Sequence, residues 1–167
     1  MKIEVTRVGL DEAPLVQKIF ESSPEYFRNT DRSEVLPHFA VRELTDEVPV
    51  QKRTRGYEKV FCKITVDGAP VGVVDLHRNH PVEGTCYLSL LLIDGKRQGE
   101  GLGRSVLPHI ESFIAERLGC GEVLLGVSED NDVGRFWEKV GFERNGRRYV
   151  WEGGGHANRV FELRKKL

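Results

Sequence analysis

The run Ile93-Asp94-Gly95-Lys96-Arg97-Gln98-Gly99-Glu100-Gly101-Leu102-Gly103-Arg104-Ser105 carries residue types that bind phosphate. Gly99, Gly101 and Gly103 let backbone N–H groups approach a ligand with no Cβ in the way. Tyr87 to Ile93, just before them, is an apolar run that reads as a buried strand. Leu102, Val106, Ile110 and Phe113, just after, repeat at helical spacing. A helix starting here contributes unpaired N–H groups and the positive end of its dipole, which together make an anion site. Arg97 and Arg104 add positive charge. Two common phosphate loops fail on residues. A P-loop needs G-x-x-x-x-G-K-[ST], but position 98 is Gln and Arg104 stands where the lysine belongs. The dinucleotide fingerprint G-x-G-x-x-G puts its third glycine at Arg104 or Val106, depending on where it starts. The pattern that remains is Q-x-x-G-x-G, filled by Gln98, Gly101 and Gly103.

The elements that must hold this loop follow from periodicity. Lys2 to Val8 alternates like a half-buried strand, and Asp11 is placed to cap a helix carrying Leu15, Ile19 and Phe20. Ser23-Pro24 closes that helix. Ser33 opens a second one that runs to about Asp46. Lys59 to Val66 and Val71 to Leu76 are strands joined by the turn Asp67-Gly68-Ala69-Pro70. Thr85 to Ile93 is the strand that feeds the glycine loop. The long helix after the loop stops at Gly119-Cys120-Gly121. Glu122 to Val127, apolar on both faces, reads as a central strand. Asn131 to Val140 is a short helix. Two final strands, Phe142 to Glu152 and Arg159 to Leu163, flank Gly153-Gly154-Gly155-His156. This order implies a mixed sheet with helices on its faces.

At 167 residues with 39% apolar content, the chain suits one buried core, expected as a single domain over 1–167. A net charge of −1 argues against nucleic acid as a main partner. No stretch approaches the roughly 18 apolar residues of a membrane span, and Met1-Lys2-Ile3-Glu4-Val5 lacks the apolar centre of a signal peptide. Cys62, Cys86 and Cys120 form no C-x-x-C spacing. They point to a reducing, cytoplasmic setting, not to a disulfide framework or a zinc site. His77 and His80 have no third ligand placed by sequence, so no metal is expected.

The segment Asn131-Asp132-Val133-Gly134-Arg135-Phe136-Trp137-Glu138-Lys139-Val140-Gly141-Phe142 has an Asn suited to a helix start, an aromatic pair, and a Gly suited to a left-handed helix end. With the glycine loop, it resembles the GNAT superfamily of N-acetyltransferases, from about Val60 to Phe142. The resemblance implies an α/β, single-domain GNAT (acyl-CoA N-acyltransferase) fold with a mixed central sheet of about seven strands flanked by helices. It implies acetyl-CoA as cosubstrate and the primary amine of a small molecule or peptide as acceptor. Leu91, Leu92 and Ile93 would then bond the pantetheine arm, with a strand divergence near Leu91. Gln98, Gly99, Gly101, Leu102, Gly103, Arg104 and Ser105 would hold the pyrophosphate. Asn131 and Trp137 would contact the arm from the other side.

One departure bears on the chemistry. The family pattern commonly places a tyrosine four residues before the helix-ending Gly, and assigns it to protonating the departing thiolate. Trp137 stands there, and an indole N–H is no acid near neutral pH. Tyr149 on the next strand, or water, is the substitute. For the amine proton, the candidates are Asp75 and His77 at one strand end, beside Tyr87 and Ser89 on its neighbour. The competing reading is a non-catalytic acyl-CoA sensor of the same fold, favoured by Trp137. A monomer or homodimer is expected.

Overall fold

Alternating apolar residues build the sheet, and the loop glycines and prolines punctuate it. The computed structural model describes residues 1–30, 34–153 and 155–167. The strands are β1 (Ile3–Arg7), β2 (Glu58–Val66), β3 (Ala69–Arg78), β4 (Thr85–Ile93), β5 (Glu122–Ser128), β6 (Glu143–Gly153) and β7 (His156–Lys166). They form one seven-stranded sheet in the order β1-β2-β3-β4-β5-β7-β6. All neighbours are antiparallel except β4 and β5, which run parallel. The helices are α1 (Ala13–Glu21), α2 (Pro24–Thr30), α3 (Phe39–Thr45), α4 (Leu102–Arg117) and α5 (Gly134–Lys139). The expected mixed sheet flanked by helices is the observed one. No helix among the described residues is long and apolar enough to cross a membrane.

Each face of the sheet has its own core. Val60, Cys62, Ile64, Val74 and Leu76 pack with Val106, Ile110 and Ile114 of α4 and Trp137 of α5. Phe61, Val73, Leu90 and Leu92 face the other way, under Val16, Ile19 and Phe20 of α1, Phe27 of α2 and Phe39 of α3. Successive strand residues point to opposite faces, which sorts the two sets. Three of these rings, Phe20, Phe27 and Phe39, meet edge to face with centroids 5.0–5.7 Å apart, which fixes the small helices to one another.

Several local expectations change. Asp11 does not cap α1: the cap position is Glu12, with no side-chain bond, because a short 3-10 turn at Leu10–Glu12 intervenes. Pro24 opens a helix as well as closing one, since a proline at the first helical position loses no hydrogen bond. The expected start at Ser33 lies outside the described residues. The helix found in that region begins only at Phe39, after Pro37, which disfavours helical backbone at the residue before it. Asn131 does not cap α5 either. Its Oδ1 accepts from the Val133 N–H at 3.4 Å, making an Asx turn just ahead of a helix whose cap position is Val133. Gly141 takes the left-handed position expected of it, with φ of 99°.

Candidate functional site

The parallel pairing of β4 and β5 holds only at Thr85–Glu122, Cys86–Val123 and Tyr87–Leu124. Beyond Tyr87 the two strands part, earlier than the expected divergence near Leu91. The cause is a bulge. Asp75 of β3 pairs with Leu90 and Leu76 with Leu88, so Ser89 is an extra residue in β4. A bulge bends its strand and adds local twist, which turns β4 away from its neighbour. Leu91, Leu92 and Ile93 still pair with β3 on one edge and, among the described residues, have no strand on the other.

The gap is a cleft of about 1040 Å³. Its walls are β4 from Leu88 to Ile93, β5 from Leu125 to Ser128, the α1–α2 turn at Ser22 and Ser23, Tyr26 and Asn29 of α2, and Phe136 and Trp137 of α5. The glycine loop and first turn of α4 close one end, through Gln98, Gly99, Gly101, Leu102, Gly103 and Arg104. This size is at the upper end of the roughly 300–1,000 Å³ usual for small-molecule sites. Asn131 also lines it, and Ser105 does not. The Ser105 N–H and Oγ both turn back to the Gly101 carbonyl, at 3.2 and 3.3 Å.

The loop is braced from behind. The Gly95 N–H donates to Ser22 Oγ at 2.9 Å, and a Cβ on Gly95 would stand 1.8 Å from the Ser22 carbonyl oxygen. No larger residue fits there without moving the α1–α2 turn. Gln98 Nε2 donates to Ser23 Oγ at 3.2 Å and to the Ile93 carbonyl at 3.0 Å. Its side chain thus ties the loop to the end of β4. Gly101 occupies the cap position of α4 at φ 77°, a conformation that L side chains rarely adopt, and no side chain caps the helix there. The first N–H groups of α4 are thereby left to an anion. Arg97 is held by both oxygens of Glu100, at 2.8 and 2.9 Å, while Arg104 makes no ion pair among the described residues.

The expected acid and base residues are not wall residues of the cleft. Asp75 is only 3% exposed. Its Oδ2 accepts from Lys59 Nζ at 2.7 Å and Ser89 Oγ at 2.8 Å, and lies 3.5 Å from His77 Nε2. His77 Nδ1 meets the Tyr57 hydroxyl at 2.9 Å, and that hydroxyl accepts from the Val48 N–H. Burial alone would raise the Asp75 carboxyl, but the His77 hydrogen bond and the charges of His77 and Lys59 outweigh it and hold it below the usual carboxylate range. Tyr149 pairs with Tyr87, hydroxyl to hydroxyl at 2.6 Å, directly over Gly126. Burial raises both phenols. Trp137 packs between Phe136 and Phe142 at 5.1 and 5.2 Å, in the α4-side core. Lys59 and Tyr57 escaped the sequence reading, because only the β2–β3 register places Lys59 opposite His77. α2, which supplies Tyr26 and Asn29, was also missed.

Known proteins share this fold. The acetyltransferase (GNAT) family matches residues 16–142. The spermine/spermidine N(1)-acetyltransferase of Bacillus subtilis is 33% identical over 64 residues, which is 38% of this chain and 42% of that protein, so the match spans under half of the relative's length. An acetyltransferase from Thermus thermophilus superposes with a TM-score of 0.73 at 25% identity, covering 100% of this chain and 98% of that one. The spermidine N-acetyltransferase of Vibrio cholerae, solved in complex with CoA and spermine, shares the fold with a TM-score of 0.72 at 15% identity, covering 98% and 95%. With its family match spanning most of the chain, and a sheet that parts at the strand leading into the glycine loop, this chain belongs to the acetyltransferase (GNAT) family.

Proposed function

We propose that this chain is an N-acetyltransferase that moves the acetyl group of acetyl-CoA to a primary amine of a small molecule or peptide. One feature carries the reading: the unpaired edge of β4 runs along the cleft into the uncapped start of α4. When bound, acetyl-CoA supplies a thioester. Leu91, Leu92 and Ile93 would hold its pantetheine arm by backbone groups. The amides of Gly99, Gly101, Leu102, Gly103 and Arg104 would hold its pyrophosphate, with the Arg104 charge beside them. Asn131 and Trp137 would close on the arm from the α5 side. Gln98 braces the loop as part of the cleft wall, and Ser105 turns back on Gly101 behind it.

Asp75 and His77 form the proton sink for the amine, reached from the cleft by way of Ser89. Tyr149, or water, returns a proton to the thiolate. A thiol near 8.5 needs little help there. Residues 1–167 act as one domain. Three buried free thiols suit a reducing, cytoplasmic compartment. The test is release of free thiol from acetyl-CoA, with spermidine in one arm and a peptide with a free N-terminal serine in the other, against a no-amine control. Release above the control in either arm is the expected result. Acetyl-CoA that raises Tm, with no release in either arm, would establish the sensor reading instead.

A further inference from the structure

The bulge in β4 does more than open the cleft. It leaves Ser89 with no partner residue on β3 and turns it into the cleft wall, exposed, next to a carboxylate that is almost wholly buried. Among the described partners of that carboxylate, Lys59 and His77 are themselves buried, with side chains 6% and 10% exposed. Ser89 is therefore the contact through which the Asp75 carboxylate meets the cleft. Asp75 Oδ1 is buried with no partner among the described residues, so the carboxylate keeps unused acceptor capacity.

A serine hydroxyl has one proton and two lone pairs, while an ionised carboxylate only accepts. The Ser89 hydroxyl donates to Asp75 Oδ2 at 2.8 Å, nearer than the Asp75 carbonyl at 3.4 Å, and its residue lies on the cleft wall. An amine N–H entering there meets an acceptor, not a competing donor. Behind Asp75 stands the imidazole of His77, its Nε2 3.5 Å from Asp75 Oδ2. It is faced by Asp75, by Tyr57 at Nδ1, and by the ring of His80 at 6.2 Å. Tyr87 stands beyond His80, and Lys59 meets the same Asp75 oxygen as His77.

Resting on the acetyltransferase reading above, we infer that Ser89 is a catalytic residue that receives the acceptor ammonium and relays its proton inward to the Asp75 carboxylate. The ammonium N–H bonds to Ser89 Oγ. As that proton moves onto Oγ, the hydroxyl proton moves onto Asp75 Oδ2. The nitrogen keeps the electron pair of the broken N–H bond and attacks the thioester carbonyl. The C–N bond forms, the C–S bond breaks, and the sulfur leaves with its pair as thiolate. The second proton shed by the nitrogen balances that thiolate as thiol. The first returns to solvent by the same serine after product leaves. Asp75 is a positioning residue in this scheme, since it orients the serine hydroxyl and does not touch the amine.

The test compares the parent with Ser89→Ala and Ser89→Thr, using acetyl-CoA and whichever of spermidine or the serine-initiated peptide the parent acetylates. Ser89→Ala is expected to lower kcat/KM for the amine by about 10- to 100-fold, at the low end of general acid–base effects. The acetyl-CoA-induced rise in Tm should stay at the parent value, which confirms an intact fold and cofactor site. Ser89→Thr keeps the hydroxyl on a strand that favours β-branched residues, and is expected to stay within about threefold of the parent. An active parent with Ser89→Ala within twofold of it overturns the relay and leaves the acetyltransferase reading standing. Ser89→Thr as inactive as Ser89→Ala, with the acetyl-CoA stabilisation intact, also overturns it. A parent that releases no thiol with either amine overturns the acetyltransferase reading, and the relay with it.

Discussion

Trp137 stands where a tyrosine was expected, and its surroundings assign it a packing role. It is 8% exposed, wedged edge-on between Phe136 and Phe142, with one side on the cleft. Trp137→Ala should cost about 3–5 kcal/mol in denaturant unfolding, from the cavity left behind. Trp137→Phe should keep the fold and most of the turnover. Trp137→Tyr puts a phenol at the expected position, and turnover should rise if thiolate protonation limits the rate. An unchanged turnover would place the limit at another step. Asp75 makes a different residue-scale prediction. Its carboxyl is held below the usual range in the folded protein, so it binds fewer protons there than in the unfolded chain. Its contribution is therefore fully present above the unfolded value of about 3.9 and is lost as pH falls through and below it. The urea midpoint should fall below about pH 4, and Asp75→Asn should flatten that fall. At neutral pH the same variant should cost about 3–5 kcal/mol, since it strands the buried Lys59 charge.

Elements matter here chiefly through their ends. β4 ends at Ile93 and α4 begins at Leu102, and the chain between them is pinned to the turn that joins α1 and α2. Gly95→Ala puts a Cβ against the Ser22 carbonyl, backbone against backbone, and should cost about 1–3 kcal/mol as the turn shifts. The acetyl-CoA-induced rise in Tm should shrink with it. Gly101 fails for another reason. Nothing lies within 4 Å of a Cβ built there, so Gly101→Val meets no neighbour. It instead forces a β-branched residue into left-handed backbone, which costs about 1–3 kcal/mol, and fills space at the helix start. Calorimetry with acetyl-CoA should show no binding to it. Gly103 lies inside α4, where a Cβ would rest 3.5 Å from the Phe136 ring in ordinary contact. Gly103→Ala should fold like the parent.

Across the whole molecule, the parting of β4 from β5 is tied back together on one face by Tyr87 and Tyr149. Their hydroxyls meet over Gly126, spanning from β4 to β6 across β5 and β7. A Cβ at Gly126 would stand 2.3 Å from the Tyr149 hydroxyl, 2.8 Å from that of Tyr87 and 2.7 Å from Val160. Gly126→Ala should therefore separate the pair and lower Tm, at a cost of about 1–3 kcal/mol. Tyr149→Phe keeps the ring and removes one hydroxyl, so it should leave Tm nearer the parent. Comparing thiol release in the two variants separates the loss of the bridge from the loss of a proton donor.

The glycine loop, the strand before it, the helix after it and the seven-strand count were legible in the sequence alone, because each rests on local periodicity and on residue types that few other conformations use. Gly141 at a left-handed helix end is the same kind of statement. The site is only partly of that kind. Gln98 carries a family signature, yet its side chain braces the loop, because Ser23 and the Ile93 carbonyl come within its reach only once α1 is packed on the sheet. Asp75 and His77 were visible as candidates. Their partners Lys59 and Tyr57 were not, since strand register is set by the pairing of distant segments. Ser89 is the clearest case. A bulge has no marker in β4's apolar run, and one extra residue decides whether that serine faces the core or the cleft. Local propensity determined the seven strands, the glycine loop and the long helix after it. The tertiary structure decided which side chains share the buried network and which one reaches the cleft, because burial and register belong to the assembled sheet and not to any segment of it.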